Sequence, residues 1–308
     1  MFAPPPVIET EVFARLPEKY RKTGAPSAWL TAQLRGAEMH SLLEGPAFDR
    51  AGNLYVVDIP FGRGCKVSPA GAFDLAAEYD GEPNGLKFHR DGRAFIADHS
   101  RGIMVFDPAS GAVEPYCDRP RLERFKGTND LTFAANGDLY FTDQGQSGLQ
   151  DPSGRVYRLG TDAGTDREPV CLLGGIPSPN GLVLSLDETT LFVAVTRMNN
   201  VWRAPFMLDG TVSKVGVFVQ LSGGIGPDGI ALDSQGSLAV CHFGLGTVWL
   251  FSAIGEPLAR IRSCAGLMTT NLAYGGDDMR DLYITEAESG SILRARLPTP
   301  GRAPFSHS

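Results

Sequence analysis

A phrase of fifteen residues recurs six times along this chain, and that recurrence constrains the fold more than any other feature. The copies open at Glu44 (EGPAFDRAGNLYVVD), Asn84 (NGLKFHRDGRAFIAD), Asn129 (NDLTFAANGDLYFTD), Asn180 (NGLVLSLDETTLFVA), Asp228 (DGIALDSQGSLAVCH) and, more loosely, Thr270 (TNLAYGGDDMRDLYITE). Successive openers are 40, 45, 51, 48 and 42 residues apart, a period that belongs to repeat architectures and not to doubly wound or sandwich folds. Six copies imply six blades of a propeller.

Within each copy, apolar residues stand two and four positions after the opener, as Leu86 and Phe88 do, or Leu131 and Phe133. That is the period of a strand with one buried face. A turn pair follows, Asp91-Gly92 or Asn136-Gly137, and such pairs mark tight hairpins. A second strand begins ten residues after the opener, with one extra residue in the fourth copy and two in the sixth, and it closes on Asp58, Asp98, Asp143, His242 or Glu286. A third strand and usually a fourth complete the unit, which predicts an all-β six-bladed propeller of four-stranded antiparallel blades with almost no helix. Little chain remains after Leu297 to finish the last blade, so Glu9 to Leu16 is expected to supply its outermost strand. Residues 1–308 then form one propeller domain, the segment 1–43 closing its last blade and leaving no free sheet edge.

Composition narrows the function. The chain has 308 residues, 43% of them hydrophobic, and no apolar run near the length of a membrane span. Its N-terminus, MFAPPPVIETE, lacks the basic and apolar regions of a secretory signal. The five cysteines are scattered, with no C-x-x-C pair, and read as reduced thiols of a cytoplasmic protein. A net charge of −7 without a basic stripe argues against nucleic acid as a partner. The sequence leaves the oligomeric state open.

The openers carry the chemistry. In a propeller the first strand of each blade is innermost, so Glu44, Asn84, Asn129, Asn180, Asp228 and Thr270 converge on one end of the central channel. Two carboxylates brought together repel one another unless a cation lies between them. Carboxylate and amide oxygens suit a hard divalent ion, calcium above all; magnesium, manganese, zinc and iron are the alternatives. The competing reading treats Asn-Gly and Asp-Gly as turn residues that bond their own backbone. The acids that end the second strands lie near the same rim, where pairing with backbone amides is the plainer role.

These motifs also carry a family resemblance. The phrase at Glu44, Pro-Asn-Gly-Leu at Pro83 and at Pro179, the phrase at Asn129 and Pro-Asp-Gly-Ile-Ala-Leu-Asp at Pro227 together closely resemble the gluconolactonase, senescence marker protein (regucalcin) and luciferin-regenerating enzyme family. The match runs from about Glu9 to Leu297. It implies a six-bladed propeller with a divalent cation in its channel and, for many members, lactone hydrolysis. By the same resemblance Glu44, Asn180 and Asp228 match the core metal ligands, and Asn129 matches a further ligand or a substrate-contacting asparagine. Diisopropyl fluorophosphatase propellers are similar in architecture and ligand set, so a phosphotriesterase-like hydrolase is the alternative, with a non-catalytic calcium-binding or ligand-sensing propeller as a third reading. Animal aldonolactonases carry an arginine shortly before the asparagine that matches Asn129, where this chain reads Phe125-Lys126-Gly127-Thr128. The Phe141-Thr142-Asp143 run is closer to bacterial gluconolactonases and drug-responsive lactonases.

A metal-assisted lactonase needs a proton acceptor for the attacking water. Asp228 is the first candidate, doubling as a ligand, and Asp130, beside Asn129, the second. Asn84, Asn129, Thr270 and His242 are expected to contact a small-molecule lactone, and His99 also lies near the inferred rim. No Gly-x-Ser-x-Gly elbow supports a serine nucleophile. Of the loops on the metal face, Gln144 to Gly154 is the longest and most polar and is expected to touch substrate.

Overall fold

The computed structural model describes residues 4–161 and 168–307. Its strands form six sheets, each opening with one of the repeated phrases. The innermost strands are Leu43–Phe48, Pro83–Phe88, Thr128–Phe133, Pro179–Leu184, Gly226–Leu232 and Thr269–Gly275. Each pairs antiparallel with the strand that follows it, and third and fourth strands continue outward. The all-β six-bladed propeller expected from the repeats is the architecture found. Apolar side chains of adjacent blades meet in six clusters, so that Leu86 and Ile96 of blade 2 pack with Tyr55 and Val57 of blade 1, and Tyr283 of blade 6 packs with Leu43 and Leu54 of blade 1. Strand alternation buries one face against each neighbouring blade, and the hydrophobic effect acts around a closed ring.

The N-terminal chain serves two blades. Glu11–Arg15 pairs antiparallel with Ser291–Arg296 as the outer strand of blade 6. Just before it, Val7–Glu9 runs parallel to Pro257–Arg262 and adds a fifth strand to blade 5. The segment from Glu9 to Leu16 is therefore not one strand. Thr10 lies between the two pieces, donating from its hydroxyl to Arg262 O. Between Arg15 and blade 1 the chain makes a short helix, α1 (Ala28–Leu34), which the repeat pattern did not predict. No helix among the described residues is long and apolar enough to cross a membrane.

Two local features aim the openers. Every inner strand breaks register at its opener, the break lying between Glu44 and Ala47 in blade 1 and between Pro179 and Leu182 in blade 4, with equivalents in the other four. A bulge frees side chains from the pleat and turns them, here into the channel. The residue after the opener is glycine in four blades because the next inner strand comes so close. A Cβ on Gly181 would lie 2.6 Å from Asp228 O and 2.8 Å from Gly229 Cα. These glycines serve close approach between strands, not the tight turns that Asn-Gly and Asp-Gly suggest in isolation. Gly181→Ala is expected to lower stability by about 1–3 kcal/mol through overpacking, read as a lower denaturation midpoint.

The acids ending the second strands clamp loops. Asp58 accepts from Leu42 N and from Arg63; Asp98 from the amides of Glu82, Ser100 and Arg101; Asp143 from Gly127 N; and Glu286 from Glu288 N and Ser289 N. Arg63 and Asp58 are both buried, and burial pushes the Asp58 carboxyl up to about 6 against the pull of Arg63. Arg63→Leu leaves that carboxylate unpaired, with an expected loss of about 3–5 kcal/mol near neutral pH. Chemical denaturation at pH 5 should show a smaller loss, since Asp58 there carries its own proton.

The opposite end of the channel is closed by the C-terminal tail. Arg302 donates to the carbonyls of Leu184 and Ser185 and to Glu188, and Phe305 stacks on Phe133 with ring centroids 5.0 Å apart. A cavity of about 200 Å³ lies under this cap, and its walls are largely apolar. The acidic openers all lie at the other, open end.

Candidate metal centre and active site

All six openers line one pocket of about 130 Å³ at that open end. Glu44, Asn84, Asn129, Asn180, Asp228 and Thr270 are buried there, none more than 9% exposed. Each comes from a different blade, so the ring that the repeat implied is formed by the fold.

Their hydrogen bonds are unequal. Asn129 donates its Nδ2 to Gln144 Oε1 at 3.1 Å, and the Asn180 amide bonds the Asp228 carboxylate. The Oδ1 atoms of both asparagines are buried and have no partner. A buried amide oxygen without a donor carries a penalty of roughly 1–3 kcal/mol, and two of them lie in the pocket that also holds two carboxylates. Glu44 accepts from Gly45 N and from Asn271 Nδ2, the latter at 2.8 Å. Burial raises its carboxyl well above the ordinary range, and the charges of Asp228 and Asp130 raise it further. Asp228 is pushed up to about 8, by burial first and then by Asp130, against the Asn180 hydrogen bond and the charge of Arg197.

Asp130 lies one residue along its strand from the ring. Its Oδ1 accepts from Leu131 N, and its Oδ2 accepts from Asn271 Nδ2 at 3.2 Å. Burial raises its carboxyl too, while Lys87 and the hydrogen bonds from Leu131 and Asn271 oppose the shift. Asn271 was not singled out in the sequence. It occupies the place where four other copies have glycine, which was the available signal, and its side chain bridges Glu44 and Asp130. A Cβ on Gly229 would lie 2.2 Å from Asn271 Oδ1, and one on Gly85 would lie 2.4 Å from Asp130 Oδ1. Asp130 and Asn271 thus fill the room that glycines leave in facing blades.

Two expected substrate contacts are placed differently. His242 is fully buried outside the pocket, with Nε2 bonded to Gly223 O at 2.9 Å and Nδ1 accepting from Trp249 Nε1 at 3.2 Å. Both ring nitrogens hold its own blade together, so the residue is structural where a substrate contact was expected. Thr270 lines the pocket, but its hydroxyl is bonded to Leu43 O at 2.8 Å and to Thr285 Oγ1 at 2.7 Å. His99 does reach the pocket, where Gln33 Nε2 lies 3.1 Å from its Nε2. Of the loop after Gln144, only Gln144 itself lines the pocket, tied to Asn129 and to Ser178.

The donor set fits a hard divalent cation. Among the described residues no group of three or more His, Cys, Asp or Glu side chains is arranged to hold a metal. Here half of the expected donors are amides: two unpaired amide oxygens beside two mutually repelling carboxylates satisfy oxygen-ligand chemistry, and an ion would relieve both penalties together.

The fold and this ring define the class. Residues 42–288 match the SMP-30/gluconolactonase/LRE-like family, and the chain belongs to that family. Its relatives include lactonase drp35 of Staphylococcus aureus (strain MW2), 29% identical over 258 residues that span 79% of this chain and 75% of that protein. Among solved structures, regucalcin of Agrobacterium tumefaciens strain C58, described as a calcium-binding protein, superposes with a TM-score of 0.76 at 22% identity, covering 98% of this chain and 99% of that one. A gluconolactonase of Xanthomonas campestris gives 0.73 at 24% identity, covering 94% and 99%. These likenesses to structures concern the fold.

Proposed function

We propose that this protein is a metal-dependent lactone hydrolase, with calcium as the resident ion held by Glu44, Asn129, Asn180 and Asp228. The carrying observation is the pair of buried, unpartnered amide oxygens of Asn129 and Asn180 facing the same pocket as Glu44 and Asp228. Family membership and the similarity to a protein named lactonase support the same reading. A divalent cation bound there supplies positive charge that polarises a carbonyl oxygen and acidifies water.

The chain's own residues do the rest. Asp228 accepts the proton of the attacking water, a task that suits a carboxylate on the wall of the pocket that would hold the ion. Asp130 is the reserve acceptor, its charge felt by both Glu44 and Asp228. Asn271 holds Asp130 and Glu44 in fixed orientation from the sixth blade. Asn84 and Asn129, at the pocket wall, position the ring ester, and Thr270 contributes through the backbone it fixes. All five cysteines are free thiols, which suits a reducing compartment, and the cytoplasm is the proposed location.

The test is a panel of γ- and δ-lactones and one phosphotriester, followed by acid release with calcium-loaded protein. Ring opening of lactones above the uncatalysed rate, with the phosphotriester untouched, is expected. Turnover of the phosphotriester alone would transfer the site to phosphorus chemistry, and turnover of neither would leave a non-catalytic propeller.

A further inference from the structure

The pocket has a roof that comes from outside the family match. Residues 17–41 precede the region 42–288 that matches the family, and α1 lies within them. Ser27 caps the helix, its Oγ accepting from Leu30 N, and Arg35 ends it in the left-handed conformation at φ 57°. Trp29, Leu30, Gln33 and Leu34 share one face by helical spacing, and they are the helix residues withdrawn from solvent. Trp29 and Leu34 pack on a small apolar cluster of Leu42, Ile59 and Ala287, and Gln33 meets His99 of blade 2. Trp29, Gln33 and Leu34 all line the metal-end pocket.

What this roof offers a substrate is mostly apolar. Trp29, Leu34, Leu42, Ile59, Ile225 and Phe243 form the upper wall. Four of the polar groups that line the pocket are committed to protein partners. Ser178 Oγ and Asn129 Nδ2 are bonded to Gln144, Thr196 Oγ1 donates to Pro227 O, and Thr270 is bound to Leu43 and Thr285. Trp29 Nε1 is a buried donor without a partner, beside the pocket its ring lines.

Resting on the lactonase reading, we propose that α1 determines specificity and that the substrate class is a lactone with an apolar or aromatic body, packed against Trp29. Trp29 is the principal specificity residue, and Gln33 positions the helix through His99.

The experiment compares a benzo-fused δ-lactone with D-glucono-δ-lactone on the calcium-loaded full chain, for the wild type, Trp29→Ala, Trp29→Phe and Gln33→Ala. Loss of an aromatic packing surface predicts that Trp29→Ala lowers the kcat/KM ratio of the two lactones by about 10-fold or more, chiefly through KM. Trp29→Phe should recover most of that ratio, and melting curves verify that the variants are folded. A second readout needs no turnover: the corresponding benzo-fused lactam, which resists hydrolysis, should quench tryptophan emission in the wild type and not in Trp29→Phe. A wild type that favours the sugar lactone, an unchanged ratio in folded Trp29→Ala, or a quench that survives in Trp29→Phe overturns the inference. If no lactone turns over while the lactam still quenches Trp29, the hydrolase reading fails and the roof's apolar preference stands.

Discussion

Asp228→Asn is expected to lower lactone turnover by a factor of about 100 or more and, in the same protein, to raise the melting temperature of the metal-free form at pH 8 and above, where Asp228 is ionised. The two effects share one cause. In the bare site Asp228, Glu44 and Asp130 are buried together, and each is pushed toward its protonated state. Removing one charge relieves its neighbours, so the stripped variant folds more stably, while the ion loses a charged ligand and the water loses its base. Asn180→Asp makes the reverse change. It adds a carboxylate beside Asp228, which should destabilise the stripped protein, hold metal at least as tightly, and weaken turnover by damping the ion's acidity. Metal content, turnover and melting temperature, measured side by side for both variants, check the set. Full turnover with normal metal content in Asp228→Asn would remove Asp228 from both roles and leave Asp130 as the acceptor.

The second large effect is that of pH on the metal-free protein. Asp228 titrates at about 8 in the folded state and near its ordinary 3.8 when unfolded. A raised folded value means that the folded chain binds the proton more tightly. The associated stability is fully present below about pH 4 and is lost as pH rises toward 8. Glu44 and Asp130 shift in the same direction. The stripped protein should therefore melt lower at pH 8 than at pH 5. With calcium bound the carboxylates are held ionised, so this slope disappears and binding expels protons across the same range. Calcium at about 100 times its dissociation constant adds about 2.7 kcal/mol, which for a chain of 308 residues raises the melting temperature by roughly 4 °C. Scanning calorimetry at pH 5 and pH 8, with and without calcium, reads all of this. A stripped protein whose melting point does not fall between those pH values would contradict the coupled carboxylate cluster.

The blades were legible because they repeat the same instructions: alternating apolar positions, a turn and, in four of the six, an acid at the second strand's end. The ring was legible for the same reason, since six equivalent positions in a closed fold must meet. What the repeats could not express was anything that occurs once. α1 is a single short amphipathic turn with no counterpart in other blades, so a search for recurrence passes over Trp29 and Gln33. Asn271 was hidden by Thr270, the residue in register with the other openers, although its place is glycine in four copies. His242 stands at the end of a second strand like Asp58 and Asp98, but only packing reveals that Trp249 and Gly223 hold both of its nitrogens. The bulge at every opener was also invisible, because the residues flanking it read as an ordinary strand start. The split of the N-terminal segment at Thr10 depends on Arg262, 252 residues away in sequence.

Lactone turnover in protein stripped of metal and then titrated with calcium tests the central claim most directly. The account predicts no turnover above the uncatalysed rate in the stripped protein and a saturable return with one ion per chain. Full turnover after exhaustive stripping, or calcium that binds at the ring and restores nothing, would contradict it.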